Sequence, residues 1–179
     1  MQKLSKRKKL KIGILGGSFD PPHKGHLYIS KTAIKKFNLN KIMWIITKKN
    51  PLKKKPSLPI EDRIKLSKKI TKIYKKIFVY YLDDKINSVN TFNLLNYIKR
   101  KQKKAELYFL IGDDNLKKFH KWYKWKKIPS LAKIVVFARK YNSIEKISYT
   151  AKKQLKKKGL IEVGSKKIKI SSSLIKKFW

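Results

Sequence analysis

The residues best suited to chemistry lie in one stretch, from Gly16 to Leu27, which reads Gly-Gly-Ser-Phe-Asp-Pro-Pro-His-Lys-Gly-His-Leu. His23 and His26 stand three residues apart in it, and the whole chain has only three histidines. At the start of a helix this spacing lets both imidazoles face one point. Imidazole N–H groups can donate to phosphate oxygens whose charge grows in a transition state. The stretch therefore predicts a site for phosphate chemistry.

Two predicted elements position this stretch. A short apolar run, residues 10–15, precedes it, and apolar residues at helical spacing follow it over residues 27–37. A strand, a glycine turn and a helix start together aim backbone N–H groups at a phosphate. Gly16 and Gly17 let the backbone pass close to a ligand, where a β-carbon would collide.

The rest of the chain alternates predicted strands and helices. Apolar runs predict further strands at residues 41–47, 77–82, 106–111, 134–138 and within 163–170. Helical spacing predicts helices at residues 60–73, from a cap within 87–91 through residue 98, at 119–125 and from residue 170. We predict a Rossmann-like α/β fold, a doubly wound parallel sheet of about five to six strands. It forms a single domain over residues 10–179, after a basic tail at residues 1–9.

Ligands bind such sheets outside the carboxyl ends of the strands, at the switch point. Five segments with polar or glycine residues follow predicted strands, at residues 16–26, 48–53, 88–91, 112–123 and 139. We expect these segments to converge on one rim and to form a single nucleotide site.

Composition limits the function classes. The chain of 179 residues has no cysteine, which excludes disulfides, thiolate metal sites and cysteine nucleophiles. Its net charge of +39 comes mostly from lysines spread along the whole chain. Two explanations stay open: attraction of polyanions such as nucleic acid, and the codon bias of an AT-rich genome acting on exposed positions. The lysines form no single stripe with interleaved aromatics, so specific nucleic-acid binding is not expected.

The N-terminus resembles a targeting segment only briefly. Its basic start is followed by an apolar run that is too short for a signal peptide and breaks at Gly16. No run reaches transmembrane length. We expect a cytoplasmic protein without a membrane partner.

Several motifs carry a resemblance to a known family. The string at residues 16–26 resembles the G-G-x-F-D-P-x-H-x-G-H motif of the His-x-Gly-His nucleotidyltransferase superfamily. Residues 109–125 resemble the G-x-D-n-L…F-x-x-W block of nicotinate-nucleotide adenylyltransferases, and residues 170–176 resemble their I-S-S-T-x-I-R. Arg63 stands where that family has an R-x-x-M/L helix. The similarity runs in order from Leu10 to Lys176, nearly the whole chain.

The resemblance implies adenylyl transfer from ATP to nicotinate mononucleotide, by in-line attack on the α-phosphate without a covalent intermediate. It assigns catalysis to His23 and His26, and it implies Mg²⁺ bound through the ATP phosphates rather than by a protein metal site. The implied ATP-binding residues are Gly16, Gly17, Ser18, Phe19, His23, His26, Asp114, Ser171, Ser172, Ser173 and Lys176. The implied nicotinate mononucleotide-binding residues are Ser88, Trp122, Tyr123 and Lys53.

Alternatives stay open for several of these residues. Trp122 either stacks on the nicotinate ring or packs in the core, and Asp114 either contacts the nucleotide or caps a helix. Lys48 and Lys53 either contact phosphate or are solvated. Lys176 replaces the family arginine, which exchanges a bidentate fork for a point charge.

Two rival functions also stay open. One is another adenylyl- or cytidylyltransferase of the superfamily, such as pantetheine-phosphate adenylyltransferase, whose acceptor has no aromatic ring to stack on Trp122. The other is a basic nucleic-acid-binding protein, supported by the net charge. The sequence does not decide the oligomeric state.

Overall fold

The structure is a computed structural model, which describes residues 9–138 and 149–164. Its strands are β1 (Lys11–Gly17), β2 (Lys41–Ile46), β3 (Ile77–Tyr81), β4 (Glu106–Gly112), β5 (Lys133–Ala138) and β6 (Ile161–Gly164). Its α-helices are α1 (Lys24–Phe37), α2 (Ile60–Thr71), α3 (Asp83–Ile86), α4 (Thr91–Lys101), α5 (Asp113–Lys117) and α6 (Tyr149–Lys157). Two 3₁₀ segments, Phe119–Lys121 and Trp125–Ser130, lie between α5 and β5.

The six strands form one parallel sheet in the order β3-β2-β1-β4-β5-β6. β1 lies between β2 and β4, so the chain first adds strands on one side of β1 and then on the other. The switch point therefore lies at the carboxyl ends of β1 and β4. The predicted Rossmann-like α/β class is confirmed. The boundary between the basic tail and the domain stays a prediction, because residues 1–8 lie outside the described part.

Helices cover both faces of the sheet. On one face, α1 and α2 pack over Trp44 and Ile46 of β2. On the other face, α4 and α6 pack over Phe109 and Ile111 of β4 and the strands beside it. Strands covered on both faces need continuous apolar runs, which explains why these runs were readable in the sequence.

Gly13 of β1 shows how tightly one face of the sheet packs. A β-carbon at Gly13 would lie 2.8 Å from Leu39 Cδ1 and 2.9 Å from Ile42 Cγ1. Leu39 follows α1 and Ile42 is the second residue of β2, so Gly13 lets the α1–β2 connection pack directly on β1. This contact fixes α1, and hence its N-terminus, relative to the end of β1.

The structure differs locally from the sequence predictions. β6 begins two residues before the predicted segment, and α6 forms at Tyr149–Lys157, where no element was predicted. Asn90 occupies the N-cap position of α4 without a side-chain cap bond, and its backbone N–H donates to Ser88 Oγ at 3.1 Å. In the described part of the chain, no helix is long and apolar enough to cross a membrane.

Candidate active site

The two motif histidines form the cap of α1. The Gly25 N–H donates to His23 Nδ1 at 3.1 Å, and the His23 N–H donates to His26 Nδ1 at 3.2 Å. A nitrogen that accepts carries no proton, so in the neutral form both rings carry their proton on Nε2. The centroids of the two rings are 3.9 Å apart. The cap thus presents two N–H donors from adjacent rings at a helix N-terminus, an arrangement suited to an anionic group.

A buried aromatic cluster holds His26 in place. The centroids of the His26 and Phe19 rings are 4.5 Å apart, and Phe19 stacks on Trp44 at 4.9 Å. Trp44 Nε1 donates to Ser30 Oγ, which donates to the His26 carbonyl oxygen, both at 2.8 Å. Phe19 has a φ of 49°, a left-handed conformation uncommon for an aromatic residue. In this conformation the Phe19 ring lies against the His26 ring and supports it.

A cleft of about 240 Å³ opens at the switch point. Four of the five segments expected to converge contribute to its walls, while the fifth, at Arg139, lies outside the described residues. The lining residues are Gly16, Gly17, Ser18, Ile45, Thr47, Asn50, Pro51, Leu52, Lys53, Asp83, Val89, Asn90, Thr91, Leu94, Phe109, Ile111, Asn115, Lys121, Trp122 and Tyr123. The glycine turn, which leads to the two histidines that cap α1, thus forms one wall of this cleft.

Aromatic residues form the opposite wall. Trp122 is half-buried, with its ring 5.0 Å from that of Phe119 and edge-on to Phe109 at 6.0 Å. Tyr123 is exposed beside it. Trp122 therefore packs against the core and also lines the cleft, while its stacking on a nicotinate ring stays a prediction. A ring held by core contacts loses little freedom when it stacks on a ligand.

An ion pair links a residue of the cleft wall to α5. Lys53 Nζ lies 3.8 Å from Asp114 Oδ2, and both side chains are about half exposed. Asp114 sits in the first turn of α5, and its Oδ1 folds back toward Gly112, where a β-carbon would be only 2.6 Å away. Gly112 therefore lets Asp114 take this conformation. Lys53 and Asp114, which come from different segments, meet here.

Ser88 lies beside the cleft rather than in its lining. Its Oγ accepts from the Asn90 N–H and from Asn93 Nδ2, at 3.1 and 2.9 Å. This turn brings Val89 to the cleft wall, along with the first residues of α4. The hydroxyl of Ser88 thus shapes the backbone that lines the site.

Asp83 is a buried carboxylate at the cleft that the sequence analysis did not single out. Its Oδ2 accepts from Thr47 Oγ1 and from the Lys48 N–H, both at 2.7 Å. Burial raises the pKa of the Asp83 carboxyl, and these two hydrogen bonds oppose that rise. Its position directly after β3, at the carboxyl edge of the sheet, was the available signal. Thr47 also lines the cleft from just outside a predicted segment, and Asn50 and Lys121 line it from segments that were expected to converge, although neither residue was singled out.

The predicted ATP-binding residues of the C-terminal segment, Ser171, Ser172, Ser173 and Lys176, lie outside the described residues, and their roles stay predictions. His23, His26 and Phe19 lie at the α1 end of the site, next to the turn that lines the cleft.

Solved structures share this fold. A Plasmodium falciparum nicotinic acid mononucleotide adenylyltransferase complexed with NaAD matches with a TM-score of 0.77 at 22% identity, covering 94% of this chain and 83% of that one. The same enzyme complexed with APC matches with a TM-score of 0.76 at 23% identity, over 96% and 84% of the two chains. At this level of identity the likeness shows the fold.

Sequence relatives decide the family. The Cytidylyltransferase-like family model matches residues 14–178. A protein of Pelagibacter ubique named "Probable nicotinate-nucleotide adenylyltransferase" is 45% identical over 96% of this chain and 94% of its own length. This chain belongs to the nicotinate-nucleotide adenylyltransferase family. A relative of the same name from Ruegeria sp. is 35% identical over 72% of this chain and 67% of its own.

Membership of the nicotinate-nucleotide adenylyltransferase family makes the chain a nucleotidyltransferase with a nucleotide-binding fold. The resemblance drawn from the motifs is confirmed, and so is the class of enzyme predicted from it.

Proposed function

We propose that this chain transfers the adenylyl group of ATP to nicotinate mononucleotide, forming nicotinate adenine dinucleotide and pyrophosphate in NAD biosynthesis. One observation carries this proposal. Trp122, an aromatic side chain fixed by core contacts, faces the same cleft as the glycine turn beside the capped histidines. An acceptor with both an aromatic ring and a phosphate suits that pairing, and the relatives' names support the same acceptor.

The chemistry needs positioning and charge stabilisation rather than a protein nucleophile. A 5′-phosphate oxygen of nicotinate mononucleotide attacks the α-phosphorus of ATP in line. The new P–O bond forms as the bond from the α-phosphorus to the bridging oxygen of the β-phosphate breaks, and pyrophosphate leaves with that electron pair. His23 and His26 donate from Nε2–H to phosphate oxygens as their charge grows. The start of α1 adds its dipole.

In the proposal, each of the two substrates binds against a different wall of the cleft. ATP lies along Gly16, Gly17 and Ser18, next to the histidine cap. The nicotinate ring stacks on Trp122, and backbone amides near Ser88 and Tyr123 hold its carboxylate. Lys53 supplies positive charge to phosphate at the mouth, where its ion pair with Asp114 is exchanged for a contact with substrate. In the proposal, Asp114 contacts the nucleotide.

Mg²⁺ fits this site through ATP. Asp20 and Asp83 both already accept hydrogen bonds from backbone amides of the loop that follows β2. We therefore assign the metal to phosphate oxygens and water, which suits a cation that dehydrates reluctantly. The bound metal neutralises phosphate charge. The cytoplasmic location stays a prediction.

A pyrophosphate-release assay with ATP and a panel of acceptors tests the proposal. The panel contains nicotinate mononucleotide, nicotinamide mononucleotide and 4′-phosphopantetheine. We expect release with nicotinate mononucleotide and formation of the dinucleotide by mass spectrometry. Release only with phosphopantetheine would replace the proposal with the pantetheine-phosphate reaction. No release, together with steeply salt-dependent binding to random oligonucleotides, would favour the nucleic-acid-binding function.

A further inference from the structure

Arg63, in the first turn of α2, is buried, with only 2% of its surface exposed. Its guanidinium donates hydrogen bonds to four backbone carbonyl oxygens. Nη1 donates to Ser18 and Thr47, both at 2.7 Å. Nη2 donates to Lys48 at 3.2 Å, and Nε donates to Leu58 at 3.1 Å. One side chain thus joins the turn after β1 to both ends of the loop between β2 and α2.

Two carboxylates hold the same loop by its N–H groups. Asp20 accepts from the Ser57 and Leu58 N–H groups at 2.9 and 3.0 Å. Asp83 accepts from the Lys48 N–H at 2.7 Å. The backbone at each end of the loop is therefore gripped through its carbonyl by Arg63 and through its amide by a carboxylate. A loop held in this way has little freedom at its ends.

Two carboxylates favour the charged form of Arg63 against the effect of its burial. Burial lowers the pKa of its guanidinium, and the negative charges of Asp20 and Asp83 raise it. Four of the 49 basic residues of the chain are arginines. A planar fork with five N–H donors can reach carbonyls in several directions, whereas a lysine ammonium is a compact point charge. The four carbonyl oxygens around Arg63 therefore suit a guanidinium rather than an ammonium.

We infer that Arg63 is a positioning residue for the acceptor side of the cleft, because it ties the loop of residues 47–58 to the turn after β1. This inference rests on the proposed function, which places the acceptor against that loop. The loop lines the cleft through Thr47 and residues 50–53. Arg63 thus sets the distance between the wall that holds ATP and the wall that holds the acceptor phosphate.

The two walls depend on Arg63 to different degrees. The glycine turn continues β1, which pairs with β2 through Gly17 and with β4 through Leu15. Sheet pairing therefore keeps the turn in place when Arg63 is changed. The loop of residues 47–58 leaves the sheet after Ile46. Its first N–H, that of Thr47, donates to the Gly17 carbonyl oxygen at 3.0 Å, and beyond that bond its ends are held by the Arg63, Asp20 and Asp83 contacts. A change at Arg63 should therefore act on the acceptor more than on ATP.

Kinetics of Arg63→Lys and Arg63→Met test this difference, with Arg100→Lys and Arg100→Met as matched controls at an exposed position of α4. Losing hydrogen bonds from a charged donor should raise the KM for nicotinate mononucleotide about tenfold or more. The KM for ATP should stay within about threefold, and both Arg100 variants should match the wild type. If Arg63→Met does not fold, Arg63→Lys alone carries the test.

Equal rises in both KM values, or unchanged KM values with a lower melting temperature, would overturn the inference and leave Arg63 as a residue of general stability. Amide hydrogen exchange gives a second readout that needs no turnover. We expect faster exchange confined to residues 47–58 in Arg63→Lys; faster exchange throughout the sheet would contradict the positioning role. A wild-type protein that releases no pyrophosphate would refute the proposed function, and the exchange pattern would still decide the role of Arg63.

Discussion

Replacing His26 tests the catalytic proposal most directly, because the structure separates two functions of its ring. Nδ1 accepts from the His23 N–H and completes the cap of α1, while the proton on Nε2 serves the phosphate. His26→Ala removes both functions together with the ring contacts to Phe19 and Trp44. Its effect on turnover alone would mix chemistry with structure.

His26→Gln separates them. Gln at the third helical position is the usual partner in a capping box, so its side-chain oxygen can accept from the His23 N–H and keep the cap. With that oxygen turned to the backbone, the donor that remains is an amide NH₂ on a flexible side chain, in place of the imidazole Nε2–H that the contacts with Phe19 and Trp44 hold fixed. Loss of one preorganised donor to a developing anion costs about 2.7–4 kcal/mol, a fall in kcat of roughly 10²–10³-fold. Loss of the cap in His26→Ala adds about 1 kcal/mol of destabilisation, which His26→Gln should largely avoid.

Steady-state kinetics and urea unfolding of the two variants give the required numbers. Both should show the large fall in kcat, and only His26→Ala should show the full loss of stability. If His26→Ala keeps kcat within about tenfold of the wild type, the Nε2–H of His26 is not a donor to the transition state. If kcat falls only in proportion to stability across the two variants, His26 serves as a helix cap alone.

Three further changes test other parts of the molecule. Trp122→Ala should raise the KM for nicotinate mononucleotide roughly tenfold or more and leave that for ATP nearly unchanged, since stacking contributes about 1–3 kcal/mol; equal losses for both substrates in steady-state kinetics would leave Trp122 with its core role only. The hydrogen-bonded ion pair with Lys133 lowers the pKa of Glu106, so its contribution is present above the ordinary carboxyl pKa and is lost as pH falls through the lowered value. On acidification, Lys133→Met should therefore lose roughly 0.5 kcal/mol less of its free energy of unfolding than the wild type, as measured by urea unfolding at neutral and acid pH. Identical pH profiles for the two proteins would show that the pair contributes nothing. In the segment outside the described residues, Lys176→Ala should raise the KM for ATP while Lys176→Arg is tolerated, and a wild-type KM in Lys176→Ala would remove Lys176 from the phosphate site.

The sequence predicted the parts of the site that are local in the chain. The strand before Gly16, the helix after it and the paired histidines lie within one short segment, so periodicity and spacing describe them fully. The strand-end rule then predicted which distant segments meet, because the carboxyl ends of parallel strands share one edge. The resemblance to a known family added the acceptor.

The tertiary hydrogen bonds of Arg63 could not be predicted in this way. Its partners Ser18 and Thr47 lie 45 and 16 residues away, and the bonds go to backbone carbonyls that every residue type possesses. A side chain bound to backbone leaves no pattern in the partner's sequence, unlike an ion pair or a heptad. The same holds for Asp83, whose burial depends on where the loop after β2 lies. The histidine tautomers likewise follow from three-dimensional contacts.

The strand order has a consequence for how the protein is made. β1 pairs with β4, and Lys11 lies opposite Glu106 in that pairing. On the ribosome, β1, β2 and β3 emerge with their helices before β4 exists, so the first half of the sheet is synthesised with one side of β1 unpaired. Joining it to the second half closes a long loop, which slows folding. The cleft lies across this junction, so a nucleotide that contacts both walls binds only the joined state and, by mass action, draws late folding to completion.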